Sequence, residues 1–179
     1  QIPTYRLAWP DWWADGHASS AYETSLIREA HEGLFAAERF STLAKLVDPS
    51  FAYPANRISK ALEKMMLYDE HTWGAGQSIS EPDSPATRGQ WKVKASFATD
   101  AHAEAKRLLR EGLVALGRAD AATPKEQGAA STIGAFNSLT WPRHDLLLVS
   151  NITPDLAGAI RNHELRVEDA STGHMMPYQ

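Results

Sequence analysis

The residues with the densest chemistry are Tyr68-Asp69-Glu70-His71-Thr72-Trp73-Gly74-Ala75-Gly76. Two carboxylates, an imidazole and an indole stand at the end of an apolar helical run, and glycines then stop the helix. An imidazole there can ligate a metal or exchange protons near neutral pH. Two carboxylates suggest acid/base work, but consecutive helical residues point about 100° apart. Asp69, Glu70 and His71 therefore cannot all address one target. Glycosidase carboxylates flank a bond from opposite sides, about 5–9 Å apart, which adjacent helical residues cannot do. The plainer reading of Asp69 and Glu70 is pairing and solvation at a helix end. The plainer reading of His71 is a favourable charge at a helix C-terminus. As a metal ligand it lacks companions three or four residues away: His17, His31, His102, His144, His163 and His174 are scattered. A catalytic zinc needs about three protein ligands, so the rest would come from elsewhere.

A second cluster combines Asp11, Asp15 and His17 with Trp12 and Trp13. Aromatic faces stack on sugars, and they also anchor loops to a core; composition leaves both open. No Gly-rich phosphate loop, nucleophile elbow or paired zinc histidines occur. Gly74-Ala75-Gly76 reads as a helix stop.

Three helical stretches must position these residues. Ser20 and Glu23 have capping-box spacing. Leu26, Ile27, Ala30, Leu34, Ala37, Phe40, Leu43, Ala44 and Val47 then keep helical periodicity until Asp48-Pro49 ends the helix. A second helix starts near Pro54 and runs into the chemistry-bearing stretch. After a polar loop, Ser84-Pro85 starts a third helix as N-cap and N1 proline. Trp91, Phe97, Ala101, Ala105, Leu108, Gly112 and Leu116 carry it to about Leu116, with Gly117 expected as C-cap. Three long amphipathic helices with short connections predict an antiparallel bundle. Beyond it, residues 121–130 read as a linker. Strands are expected at 131–136, 145–149 and 164–168, a loop at 151–159 and a turn at Ser171-Thr172-Gly173. Two or three strands make no stable sheet alone, so this segment must lean on the bundle or continue elsewhere.

The chain has 179 residues, 43% of them hydrophobic and 22% charged, as expected of a globular protein. Its 22 acidic and 18 basic residues give a net charge of −4 without a long basic run, which argues against nucleic acid or an anionic membrane as partner. With no cysteine it has neither disulfides nor thiolate metal sites, and we expect a cytoplasmic protein. No signal peptide or transmembrane-length apolar run is present. The start at Gln1-Ile2-Pro3 suggests a piece of a longer protein.

Three landmarks, in order, resemble the middle of a glycoside hydrolase family 38 α-mannosidase of a bacterial-type branch. Asp11-Trp12-Trp13-Ala14-Asp15-Gly16, with Ser19-Ser20 and Glu23-Thr24, is similar to the passage leaving that family's catalytic domain. Asp69-Glu70-His71-Thr72-Trp73-Gly74-Ala75-Gly76 stands in the place of its His-Asp-x-x-x-Gly turn. Phe136-Asn137-Ser138-Leu139-Thr140-Trp141-Pro142-Arg143 resembles the opening of its C-terminal β domain. The resemblance covers nearly the whole chain. It implies a mainly α fold: an antiparallel three-helix bundle followed by a short β segment, the start of a β-sandwich. The implied domains are an aromatic end of the catalytic domain at 1–18, a three-helix middle domain at 19–120, and linker plus first strands at 121–179.

The same resemblance implies one zinc, an aspartate nucleophile and a retaining mechanism on a mannose-containing glycan. His71 matches the zinc-ligating histidine of the helical domain, with Gly76 five residues on. The family commonly has Asp directly after this histidine; here Thr72 stands there, and Asp69 or Glu70 is the substitute on its other side. Thr72, Trp73, Asp69 and Glu70 are thus the expected sugar-contacting residues. The nucleophile-bearing domain lies outside this chain, so the fragment is expected to be inactive alone and to hold zinc weakly. The competing reading is a non-catalytic helical carbohydrate-binding or protein-interaction module.

Overall fold

The computed structural model describes residues 3–6, 20–70, 77, 78, 80–121, 134–137, 139–146, 154–162, 164–169 and 171–178. The chain divides into two compact units, residues 1–140 and 141–179. Mainly helical, it contains α1 (Ala21–Val47), α2 (Ala55–Asp69), α3 (Pro85–Ala121) and α4 (Pro154–Arg161). No described helix is long and apolar enough to cross a membrane.

The helix boundaries follow local chemistry, with two departures. Ser20 does stand at the N-cap of α1, but its side chain makes no cap hydrogen bond. Its hydroxyl faces the Tyr68 hydroxyl at 3.2 Å, so the capping-box spacing is spent on a tertiary contact. At the other end, Asp48 Oδ1 accepts hydrogen bonds from the backbone N–H and the hydroxyl of Ser50. Those bonds, the hydroxyl's first, hold the Asp48 carboxyl below its usual range. Lys45 Nζ donates to the carbonyls of Pro49 and Phe51 across the same turn. Ser84 caps α3 as its sequence predicts, accepting from Thr87 N at 3.2 Å. The second departure is the far end of α3, which runs through Gly117 to Ala121. Gly117 has no neighbour within 4 Å of where a Cβ would stand. A helical glycine costs only about 1 kcal/mol relative to Ala. The alanines at 119 and 121, the best helix formers, follow it, so nothing compels a stop.

The three long helices pack together. Arg57 of α2 pairs with Glu104 and Glu111 of α3, Lys64 with Asp100 and Glu70 with Lys94. Partner numbers fall along α3 as they rise along α2, so the two run antiparallel. Glu29 of α1 meets His102, Gly33 lies by Ala105 and Phe40 by Gly112. These numbers rise together, so α1 and α3 are parallel, as an up-down-up bundle requires. The core between them holds Ile27, Leu34, Met65, Tyr68 and Leu108, with Ala30, Ala98, Ala101 and Ala105 letting the backbones approach. A second cluster joins Phe40, Ala44 and Leu116. Leu43 and Val47, expected on the core face, are instead exposed at 43% and 56%; Leu43 stands beside the buried Phe40–Ala44 face rather than on it, and Val47 is the last residue of the helix. Phe136, beyond the linker, places its ring edge-on to Phe40 with centroids 6.2 Å apart.

Among the described residues the expected β structure reduces to one isolated bridge. Of the expected strands, 134–136 and 145–146 are irregular, and 131–133 and 147–149 lie outside the described residues. Residues 164–167 have no regular secondary structure, and Glu168 forms an isolated antiparallel bridge with Met175. Met176 N donates to Val167 O and Asp169 N to His174 O around the Ser171-Thr172-Gly173 turn, where Gly173 takes φ +72°. Two short segments supply too little pairing for a sheet. The stretch 151–159, expected as loop, instead contains most of α4. Pro154 suits a first helical turn, and the apolar residues after it favour helix; Gly158 is too weak a breaker to prevent it.

Candidate functional site at the end of the second helix

Apolar side chains carry α2 toward its chemical end. Met65 and Tyr68 are buried at 1% exposure, while Met66 and Leu67 face outward. A buried tyrosine needs a partner for its hydroxyl. The Tyr68 hydroxyl lies 2.8 Å from Thr24 Oγ1 and 3.2 Å from Ser20 Oγ, which ties the end of α2 to the start of α1.

The next two residues diverge as helix geometry demands. Asp69 turns to α1, its Oδ2 2.9 Å from His31 Nε2, with both side chains roughly half-exposed. Glu70 turns to α3, its Oε2 2.9 Å from Lys94 Nζ. At Glu70 the backbone becomes extended (φ −62°, ψ 138°) and its N–H bonds to Met66 O, closing the helix. Lys94 also donates to Leu67 O at 2.9 Å and lies 3.4 Å from Glu70 O. Three consecutive residues thus address three places: Tyr68 the start of α1, Asp69 the middle of α1, and Glu70 α3.

His71, Thr72 and Trp73 lie outside the described residues, as do Trp12, Trp13 and the acidic residues around them. Asp69 and Glu70 are described: Asp69 is within hydrogen-bond distance of His31, and Glu70 is ion-paired with Lys94. Among the described residues no group of three or more His, Asp or Glu side chains could hold a metal ion. The described part of this chain therefore does not make a zinc site by itself. His31 and Lys94 are the partners that sequence reasoning missed. They lie 38 and 24 residues from the carboxylates they bind. No spacing rule reaches that far; only the packing of the helices selects them.

A groove of about 590 Å³ runs elsewhere, along the junction of α2 and α3 between Arg57 and Lys64. Its walls are charges that satisfy one another. Arg57 donates to Glu104 at 2.6 Å and to both carboxylate oxygens of Glu111 at 2.6 and 3.0 Å. Lys64 pairs with Asp100 at 2.6 Å, and Arg107 also pairs with Glu104. These ion pairs clamp the two helices and occupy Arg57, Lys64 and Arg107 of the groove's lining, so we assign it no ligand.

No family model, curated protein or solved structure matches the chain.

Proposed function

We propose that this chain is the helical middle domain of a zinc-dependent, retaining α-mannosidase-like glycoside hydrolase, and that it is inactive as an isolated fragment. In this reading His71 gives one imidazole to a zinc whose other ligands come from a catalytic domain outside the chain. Thr72 and Trp73 border the sugar of a mannose-containing glycan. Asp69 and Glu70, bound to His31 and Lys94, hold the end of the helix from which that turn departs.

One observation carries the reading: α2 ends at Asp69 and the chain leaves it at Glu70, one residue before the histidine of the family-like turn. The order of the three sequence landmarks and the three-helix architecture support it further. The test is His71→Ala in the parent protein, with zinc content and the rate on an aryl α-mannoside measured together. Both are expected to fall at least tenfold, as for loss of a metal ligand or its orienting partner, about 10–100-fold. If both stay at wild-type level in a folded protein, His71 is only a helix-end residue. The helical binding or interaction module then becomes the better reading.

A further inference from the structure

The three long helices differ in length, and the mismatch leaves one end of the bundle without its third wall. Lys64 pairs with Asp100 and Glu70 with Lys94, a register that puts Ala55, where α2 begins, level with Leu109 of α3. Gly33 beside Ala105 and Phe40 beside Gly112 carry that level to Ala37 of α1. Past it, α1 runs on to Val47 and α3 to Ala121 with no turn of α2 against them. This overhang is nevertheless apolar. Phe40, Ala44 and Leu116 are buried in it, with Leu113 and Phe51, from the connection after α1, packed on them. Leu43, Leu46, Val47 and Val114 remain exposed there.

A further cover comes from outside the three helices. Phe136 sets its ring edge-on to Phe40, with centroids 6.2 Å apart and an interplanar angle of 72°, inside the same compact unit. Phe40 is left 6% exposed and Phe136 41%. An edge-to-face aromatic pair is favourable beyond the area it buries. Against it stands entropy, because holding Phe136 here closes the chain between the end of α3 and Phe40 into a loop. The main core does not depend on the contact: Ile27, Leu34, Met65, Tyr68 and Leu108 pack among the helices alone. We propose that Phe136 is a latch, a single aromatic anchor that docks its segment on the α1–α3 overhang where α2 is missing and releases while the bundle stays folded. This device is independent of the function proposed above.

The experiment labels the 179-residue chain with fluorinated phenylalanine, which places five fluorine probes. Phe136→Leu identifies the resonance of residue 136. In buffer that resonance should lie away from its position in concentrated urea, and Phe40→Leu should move it back toward that position. On titration with urea it should reach the unfolded position before half of the helical circular dichroism is lost. A Phe136 resonance already at the unfolded position in buffer means no docking and overturns the proposal. Release of Phe136 together with the helices makes it part of the cooperative core, and overturns the latch too. Amide hydrogen exchange supplies a second readout that leaves every core side chain in place, so it stays decisive if Phe40→Leu fails to fold. Phe136→Ala removes the aromatic pair and should speed exchange at residues 112–116 about two- to tenfold. Residues 98–105, beside the main core, should stay within about twofold of the parent chain. Unchanged exchange at 112–116, or equal acceleration in both stretches, again overturns the proposal.

Discussion

Gly112 of α3 lies directly against the backbone of Phe40 in α1. A Cβ built on Gly112 would stand 3.2 Å from the Phe40 carbonyl carbon and 3.1 Å from Ser41 N. Those neighbours are helix backbone and cannot rotate away. The parallel helices α1 and α3 approach this closely because residue 112 has no side chain.

The first prediction contrasts this glycine with another in the same helix. Gly112→Ala gains about 1 kcal/mol in helix propensity but pays about 1–3 kcal/mol for overpacking, so a net loss near 1 kcal/mol is expected. Gly89 has nothing within 4 Å of its Cβ position. Gly89→Ala should therefore stabilise the chain by about 0.5–1 kcal/mol. Urea denaturation midpoints of the two variants should move in opposite directions. A shared direction would mean that helix propensity, not the contact with Phe40, dominates at Gly112.

Tyr68→Phe removes the hydroxyl shared with Thr24 and Ser20 and leaves Ser20, which is buried, with one partner fewer. A loss of about 1–2 kcal/mol is expected in denaturant titrations. Combining it with Thr24→Ala should cost less than the two single losses added, because both remove the same bond. Strict additivity would show that the hydroxyls do not interact.

Asp169 supplies a test by pH. Hydrogen bonds from the Ser171 hydroxyl first, then from Ser171 N–H and Thr172, lower its carboxyl from 3.8 to about 2. The ionised form is the one held, so its contribution is complete above the ordinary value. It is lost as pH falls from 3.8 through about 2. In this window the Asp169–His174 turn should loosen, read by the Asp169 carboxyl resonance and the amide shifts of Ser171 and Gly173. Asp169→Ala should abolish that pH dependence. A carboxyl midpoint near 4, the unperturbed range, would rule out the turn geometry.

Much of the bundle was legible in the sequence because its signals are local. The periodicity of α1, the stop at Asp48-Pro49 and the cap at Ser84-Pro85 each depend on residues within a few positions. The divergence of Asp69 and Glu70 was legible too, since it follows from 100° per residue. Where local signals were weak or competing, sequence reading failed: Gly117 did not end α3, and Pro154 with Gly158 marked a helix rather than a loop.

By itself, then, the sequence determined three long helices, their approximate limits and the impossibility of aiming Asp69 and Glu70 at one target. Tertiary structure alone decided what each of them meets. His31 reaches Asp69 across 38 residues and Lys94 reaches Glu70 across 24. Ser20 gave up its capping role for Tyr68 because that hydroxyl arrives from a neighbouring helix. Such pairings depend on the register between helices. Register is set by how small residues such as Ala105 and Gly112 let the backbones approach, and no periodicity within one helix encodes it.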